Sequence, residues 1–136
     1  MAHRKVGSSK VLIVGGGSGM GLALAKRCLD IGSNVVIVGR NEDKLRRAIH
    51  ELGEPASLAA IATDIAQEGQ VADLFKRTGQ LDHIVSTAAD IEGAYELLPA
   101  LKLEAAQRVV ESKFYGPLLL AKYGAPMLSP AGSITF

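Results

Sequence analysis

Val11-Leu12-Ile13-Val14-Gly15-Gly16-Gly17-Ser18-Gly19-Met20-Gly21 decides how the rest of the chain reads. Four consecutive apolar residues ending in glycine suit a strand buried on both faces of a parallel sheet, which in turn demands helices on either side. Beyond the glycines, Met20, Leu24, Cys28 and Ile31 recur at helical spacing until Gly32 stops the run. The glycines therefore stand where a strand passes into a helix. At such a junction the chain turns tightly, brings backbone N–H groups against a phosphate and lets helix and strand approach closely, and side chains obstruct all three. The plain alternative, a flexible turn, has to account for five glycines where one suffices. A triphosphate P-loop is disfavoured because no Gly-Lys-Ser/Thr follows.

Working outward, the same alternation continues. Residues 35–38 repeat the buried-strand pattern, and Asn41 is placed to cap a helix with Glu42 and Asp43 in its first turn and Leu45, Ile49 and Leu52 on its apolar stripe. A weaker strand is predicted over 58–62, a helix over about 66–78, and a fourth strand over 81–87. An irregular stretch to Pro99 leads into a helical region over about 100–127, in which Gly116-Pro117 marks a break or kink. Pro130-Ala131-Gly132 reads as a turn, and 133–136 as the start of a fifth strand. Strand and helix in this order predict right-handed crossovers and an α/β fold: a doubly wound, open parallel sheet of Rossmann type. The whole of 1–136 reads as one domain. The chain stops inside its fifth strand with no covering helix after it, so the expectation is the N-terminal part of a longer domain, truncated at that strand.

Composition agrees with a packed interior: 48% of residues are hydrophobic and 21% charged, which excludes a disordered or collagen-like chain. Fifteen Lys and Arg against 14 Asp and Glu leave a net charge of +1, without the concentrated basic field of a nucleic-acid or membrane-surface binder. No apolar run reaches membrane-spanning length. The polar, basic start has no signal-like stretch after it, and the single Cys28 can form no internal disulfide, so a reduced, cytoplasmic setting is expected. His3, His50 and His83 show no metal-ligand spacing, and no metal is expected. His83, beside Asp82 in the fourth strand, reads as a satisfied strand histidine.

The stretch from Val14 to Gly21 resembles the Thr-Gly-x-x-x-Gly-x-Gly motif of short-chain dehydrogenases/reductases, with valine in place of threonine and the motif glycines at Gly15, Gly19 and Gly21. The valine lacks the hydroxyl that helps brace the sheet in that family. The resemblance, which covers the chain from Lys10 onward, implies an oxidoreductase moving hydride between a nicotinamide cofactor and a small carbonyl or alcohol. It implies cofactor contacts from the loop residues Gly15, Gly17, Ser18, Gly19, Met20 and Gly21. Asp64, in Thr63-Asp64-Ile65, takes the place of the aspartate that bonds the adenine amino group, though it serves equally well as a cap for the following helix. Ser86-Thr87-Ala88-Ala89 stands where the family has Asn-Asn-Ala-Gly, keeping only the small residues Ala88 and Ala89 beside the cofactor.

Arg40 follows Gly21 by nineteen positions and falls at the end of the second strand, where an NAD site places Asp or Glu to bond the ribose 2′-hydroxyl. A guanidinium there grips a 2′-phosphate instead, so Arg40 with Asn41 predicts NADP in preference to NAD. An ordinary solvated arginine is the bland alternative. The family's Tyr-x-x-x-Lys pair is missing: four residues after Tyr95, Tyr115 and Tyr123 stand Pro99, Leu119 and Met127. Lys113, three residues before Gly116, occupies the place of the family's helix asparagine, where an exposed helical charge is the simpler reading. Family members commonly pair through the long helix, which makes Phe114, Leu118 and Met127 candidate subunit contacts for a homo-oligomer, although the same residues suit packing on the sheet. Two further readings stand beside the oxidoreductase: a non-catalytic dinucleotide-binding or regulatory module, and a methyltransferase with a similar glycine turn, which would want an acid where Arg40 stands.

Overall fold

Alternation along the strands already assigns the two faces of the sheet. In the computed structural model, which describes residues 6–136, Val11, Ile13, Val35 and Ile37 point to one face and Leu12, Val14, Val36 and Val38 to the other. The strands are β1 (Lys10–Val14), β2 (Asn34–Gly39), β3 (Leu58–Ala62), β4 (Leu81–Ser86) and β5 (Leu128–Thr135), all parallel, in the order β3-β2-β1-β4-β5. Helices α1 (Gly19–Asp30) and α2 (Glu42–Glu51) cover the first face with Ala25, Cys28, Leu45 and Ala48. Helices α3 (Glu68–Thr78) and α5 (Gly116–Gly124) cover the second with Val71, Leu74, Phe75 and Leu120. Each fully buried Leu, Ile or Phe contributes about 1.5–3 kcal/mol, so the two apolar layers hold the helices against the sheet. The expected doubly wound parallel sheet is the observed architecture.

The long helical region is α4 (Leu103–Val110), a π turn over Glu111–Tyr115, and α5. The expected kink is thus a widened turn: the Gly116 N–H donates five residues back, to the Glu111 carbonyl. Pro117 sits in the first turn of α5, where its missing N–H costs nothing. Gly116 lies against the Ile65 side chain and Gly124 against Ile84 and Phe75, leaving no room for a Cβ at either place. Phe114 and Leu118 are exposed, whereas Met127 packs on the core.

The turn expected at Pro130-Ala131-Gly132 is instead an irregularity inside β5. The register runs from Leu81 opposite Leu128 to His83 opposite Ser133, so β4 advances two residues while β5 advances five. Pro130 has no N–H for the ladder, and Gly132 passes so close to the Asp82 and Ser129 carbonyls that a side chain would not fit. Turn chemistry is used here to bulge a strand rather than to end one. Beside it the buried Asp82 carboxylate accepts from the Ser129 hydroxyl at 2.7 Å and from the Lys10 N–H at 2.9 Å, tying β5, β4 and β1 together.

Candidate functional site

The order of the sheet reverses at β1, which lies between β2 and β4, and a cleft of about 380 Å³ opens at the C-terminal ends of these strands. The loop between β1 and α1 forms one wall. Gly15 turns with φ +83°, and its N–H and that of Gly16 donate to the Val38 carbonyl at 2.8 and 3.3 Å, pinning the loop to β2. Gly21, in the first turn of α1, sits directly behind the Gly15 carbonyl, where any Cβ would collide. The extended Ser18 precedes α1 without a side-chain cap, and no acid occupies the first turn. Helix α2 differs at both points, with Asn41 accepting from the Lys44 N–H at 2.9 Å and Glu42 and Asp43 following. The first amides of α1 thus face the cleft with their donors and the positive end of the helix dipole available to an anion.

Of the residues predicted to touch a cofactor, Gly15, Ser18, Gly19, Met20, Arg40, Asp64, Ile65, Ala88 and Ala89 line this cleft. Gly17 and Gly21 do not. Gly17 faces Leu45 and Lys44 of α2, and Gly21 serves the close approach of helix and loop. Asn41 also lies outside the lining, and its Oδ1 accepts from the Lys44 N–H as the expected cap of α2. Lys113 is exposed in the π turn and outside the cleft lining, to which its neighbours Glu111 and Ser112 contribute. Of the two readings of Asp64, the helix cap is overturned. The residue is half-buried in the cleft wall, and its Oδ1 accepts from the Ala66 N–H at 3.0 Å, so it closes the turn before α3 rather than capping the helix, whose N-cap is Gln67.

A hydroxyl that Val14 lacks is offered by Thr87, just past the end of β4. Thr87 donates its N–H to the Val14 carbonyl at 2.9 Å and its Oγ1–H to the same oxygen at 3.3 Å, bracing β1 to β4 at the mouth of the cleft. The far wall holds residues that the motif reading passed over. Arg40 Nη1 lies 2.9 Å from Asp90 Oδ2, and Arg108 Nε lies 3.7 Å from Asp90 Oδ1. Arg108 also donates to the Glu92 carbonyl at 2.9 Å, and the Asp90 N–H donates to Ser112 Oγ at 2.9 Å. Asp90 directly follows the Ser86–Ala89 stretch, so its proximity to the cleft was within reach of the motif. Arg108 comes from α4, eighteen residues on, and only the fold brings it in.

Residues 9–136 match the sequence profile described as short chain dehydrogenase. The chain belongs to that family. It is 29% identical to the short-chain dehydrogenase/reductase fsr5 of Gibberella fujikuroi, an alignment covering 97% of this chain and 54% of the relative. With the short chain dehydrogenase/reductase dpfgG of Gibberella zeae the identity is 36%, over 82% of this chain and 42% of the relative. Among solved structures, a short-chain type dehydrogenase/reductase from Mycobacterium ulcerans superposes with a TM-score of 0.78 at 30% identity, covering 88% of this chain and 46% of that one. The MalC reductase/Diels-Alderase of Malbranchea aurantiaca gives 0.79 at 29%, over 92% and 53%. The chain spans about half the length of these short-chain dehydrogenase relatives.

The cradle fits a dinucleotide. The start of α1 has no side-chain cap to compete with a pyrophosphate, the glycines leave it room, and Arg40 stands just past the end of β2. No Tyr-x-x-x-Lys pair occurs in these 136 residues. Among the described residues no group of three or more His, Cys, Asp or Glu is arranged to hold an ion. His83 Nδ1 shares a hydrogen bond of 2.9 Å with Ser133 Oγ, and His3 lies outside the described residues. Cys28 is buried under α1, and that burial pushes its thiol above its ordinary pKa, consistent with packing. No helix of the described residues is long and apolar enough to cross a membrane.

Proposed function

We propose that this chain is the cofactor-binding part of an NADP-dependent oxidoreductase that moves hydride between the nicotinamide and a small carbonyl or alcohol. The observation that carries the reading is the uncapped, acid-free N-terminus of α1 behind the glycine loop, facing a cleft that also holds Arg40. When bound, the cofactor supplies the hydride chemistry. The chain's part is to hold the pyrophosphate on the amides of Gly19 and Met20, to leave room at Ala88 and Ala89, and to grip a 2′-phosphate with Arg40. A guanidinium offers two donors to a phosphate, where a carboxylate would repel it. A cytoplasmic setting belongs to the same reading. So does a homo-oligomer contacting through the exposed Phe114 and Leu118.

Fluorescence titration tests the cofactor assignment. NADPH is expected to bind the chain more tightly than NADH, and Arg40→Asp to reverse that order; unchanged NADPH affinity in the variant would sink the assignment. The second reading is a module that binds the dinucleotide without turning it over. On either reading the 136 residues alone bind cofactor and reduce no carbonyl, which a spectrophotometric assay at 340 nm checks.

A further inference from the structure

Arg40 is already engaged by a carboxylate at the place where a phosphate would arrive. Its Nη1 is 2.9 Å from Asp90 Oδ2, and the two side chains are very unequal in exposure, 61% for Arg40 and 13% for Asp90. Asp90 is the anchored member. Its N–H is held by Ser112 Oγ, which in turn donates to the Val109 carbonyl, so the residue is fastened to the end of α4. Its second oxygen faces Arg108 Nε at 3.7 Å, beyond hydrogen-bond distance, and Arg108 is steadied by its bond to the Glu92 carbonyl. One carboxylate thus stands between two guanidinia, close to Arg40 and looser to Arg108, and all three line the cleft.

A phosphate brought to Arg40 meets the Asp90 charge within a few ångströms. Like charges at that separation repel appreciably in a half-buried cleft, so the attraction of Arg40 is partly cancelled unless the carboxylate is balanced from its other side. Arg108 is the group placed to do that. We propose that Asp90 and Arg108 set the preference between the phosphorylated and unphosphorylated dinucleotide: Asp90 competes with the 2′-phosphate for Arg40, and Arg108 draws the Asp90 charge away so that Arg40 can be released to the phosphate. The inference rests on the assignment of Arg40 to a 2′-phosphate and adds a counterweight to it. Asp90 lowers discrimination and Arg108 restores it, both acting through Arg40 as positioning residues.

Direct binding of NADPH and NADH to the chain, followed by fluorescence or calorimetry, reads this without any turnover. Asp90→Asn keeps the shape and removes the charge; it is expected to tighten NADPH about three- to tenfold while leaving NADH little changed. Arg108→Gln is expected to weaken NADPH by a similar factor, again with NADH little changed. The double variant Asp90→Asn/Arg108→Gln should bind NADPH like Asp90→Asn alone, because Arg108 has no charge left to balance. A double variant as weak as Arg108→Gln would mean that Arg108 touches the phosphate itself and would overturn the proposal. Equal shifts for both nucleotides, the mark of a merely structural role, would overturn it too. Arg40→Gln separates the two layers. If it lowers NADPH affinity while Asp90→Asn changes nothing, only the counterweight fails; if it leaves NADPH untouched, the phosphate reading fails and the counterweight with it. Circular dichroism melts of each variant confirm that the fold is retained.

Discussion

At the scale of single residues, the site depends on what is absent as much as on what is present. Gly21 has no side chain because the Gly15 carbonyl occupies the space where one would be. Gly21→Ala therefore has to push helix α1 off the loop. We expect a loss of about 1–3 kcal/mol in urea denaturation together with lost dinucleotide binding, since the displaced amides are the phosphate donors of the proposed cofactor site. Val14 and Thr87 make the complementary point. The hydroxyl missing from β1 is found just past the end of β4, bonded to the carbonyl of the residue that lacks it. A motif read along one segment registers the loss, but the replacement lies 73 positions away in sequence and becomes visible only when β1 and β4 pair.

At the scale of elements, α3 and α5 are joined on their outer surface by a small charged cluster as well as by their shared core. Lys122 Nζ and the Tyr123 hydroxyl both donate to Glu68 Oε1, at 2.7 and 2.8 Å. The hydrogen bond from Lys122, then that from Tyr123, holds the Glu68 carboxyl below its ordinary value, and the bond to Glu68 raises Lys122. A carboxyl whose pKa is lower folded than unfolded binds fewer protons in the folded state, so its contribution is present above the usual carboxylate value of 4.5 and fades as the pH falls through its lowered value. The expected outcome is that wild type is slightly more stable than Glu68→Gln near neutrality, that the gap closes in acid, and that salt narrows it, all readable from thermal melts across pH.

For the molecule as a whole, protection should follow burial from the centre of the sheet outward. The four residues 11–14 of β1 are buried and bonded on both sides, whereas β3 and β5 are edges with alternating or exposed positions. Amide hydrogen exchange is expected to be slowest in β1 and in the middle of β2, and faster by orders of magnitude in β3 and β5. The central strands were also the most legible in the sequence, and for the same reason: a residue buried on both faces tolerates only apolar side chains, so the pattern is written locally. The glycine loop was legible because it abuts such a strand, and Arg40 because it ends another. What stayed hidden depends on long-range contact. The Asp90–Arg108 approach needs α4 folded back over an irregular loop, and Pro130-Ala131-Gly132 has the chemistry of a turn while serving as a bulge.

The π turn between α4 and α5 also says something about how the gene can change. A helix that bonds five residues back has one residue more in that turn than the α-helix around it, and the surplus is absorbed locally. Deleting one codon from residues 111–115 should let the turn close to ordinary spacing and leave Gly116, Leu120 and Gly124 facing the core, with a melting temperature near that of the parent. The same deletion at Ala121 has no slack to draw on. It turns everything after it by about 100° around the helix axis, which should carry Gly124 away from Ile84 and Phe75 and unfold the chain.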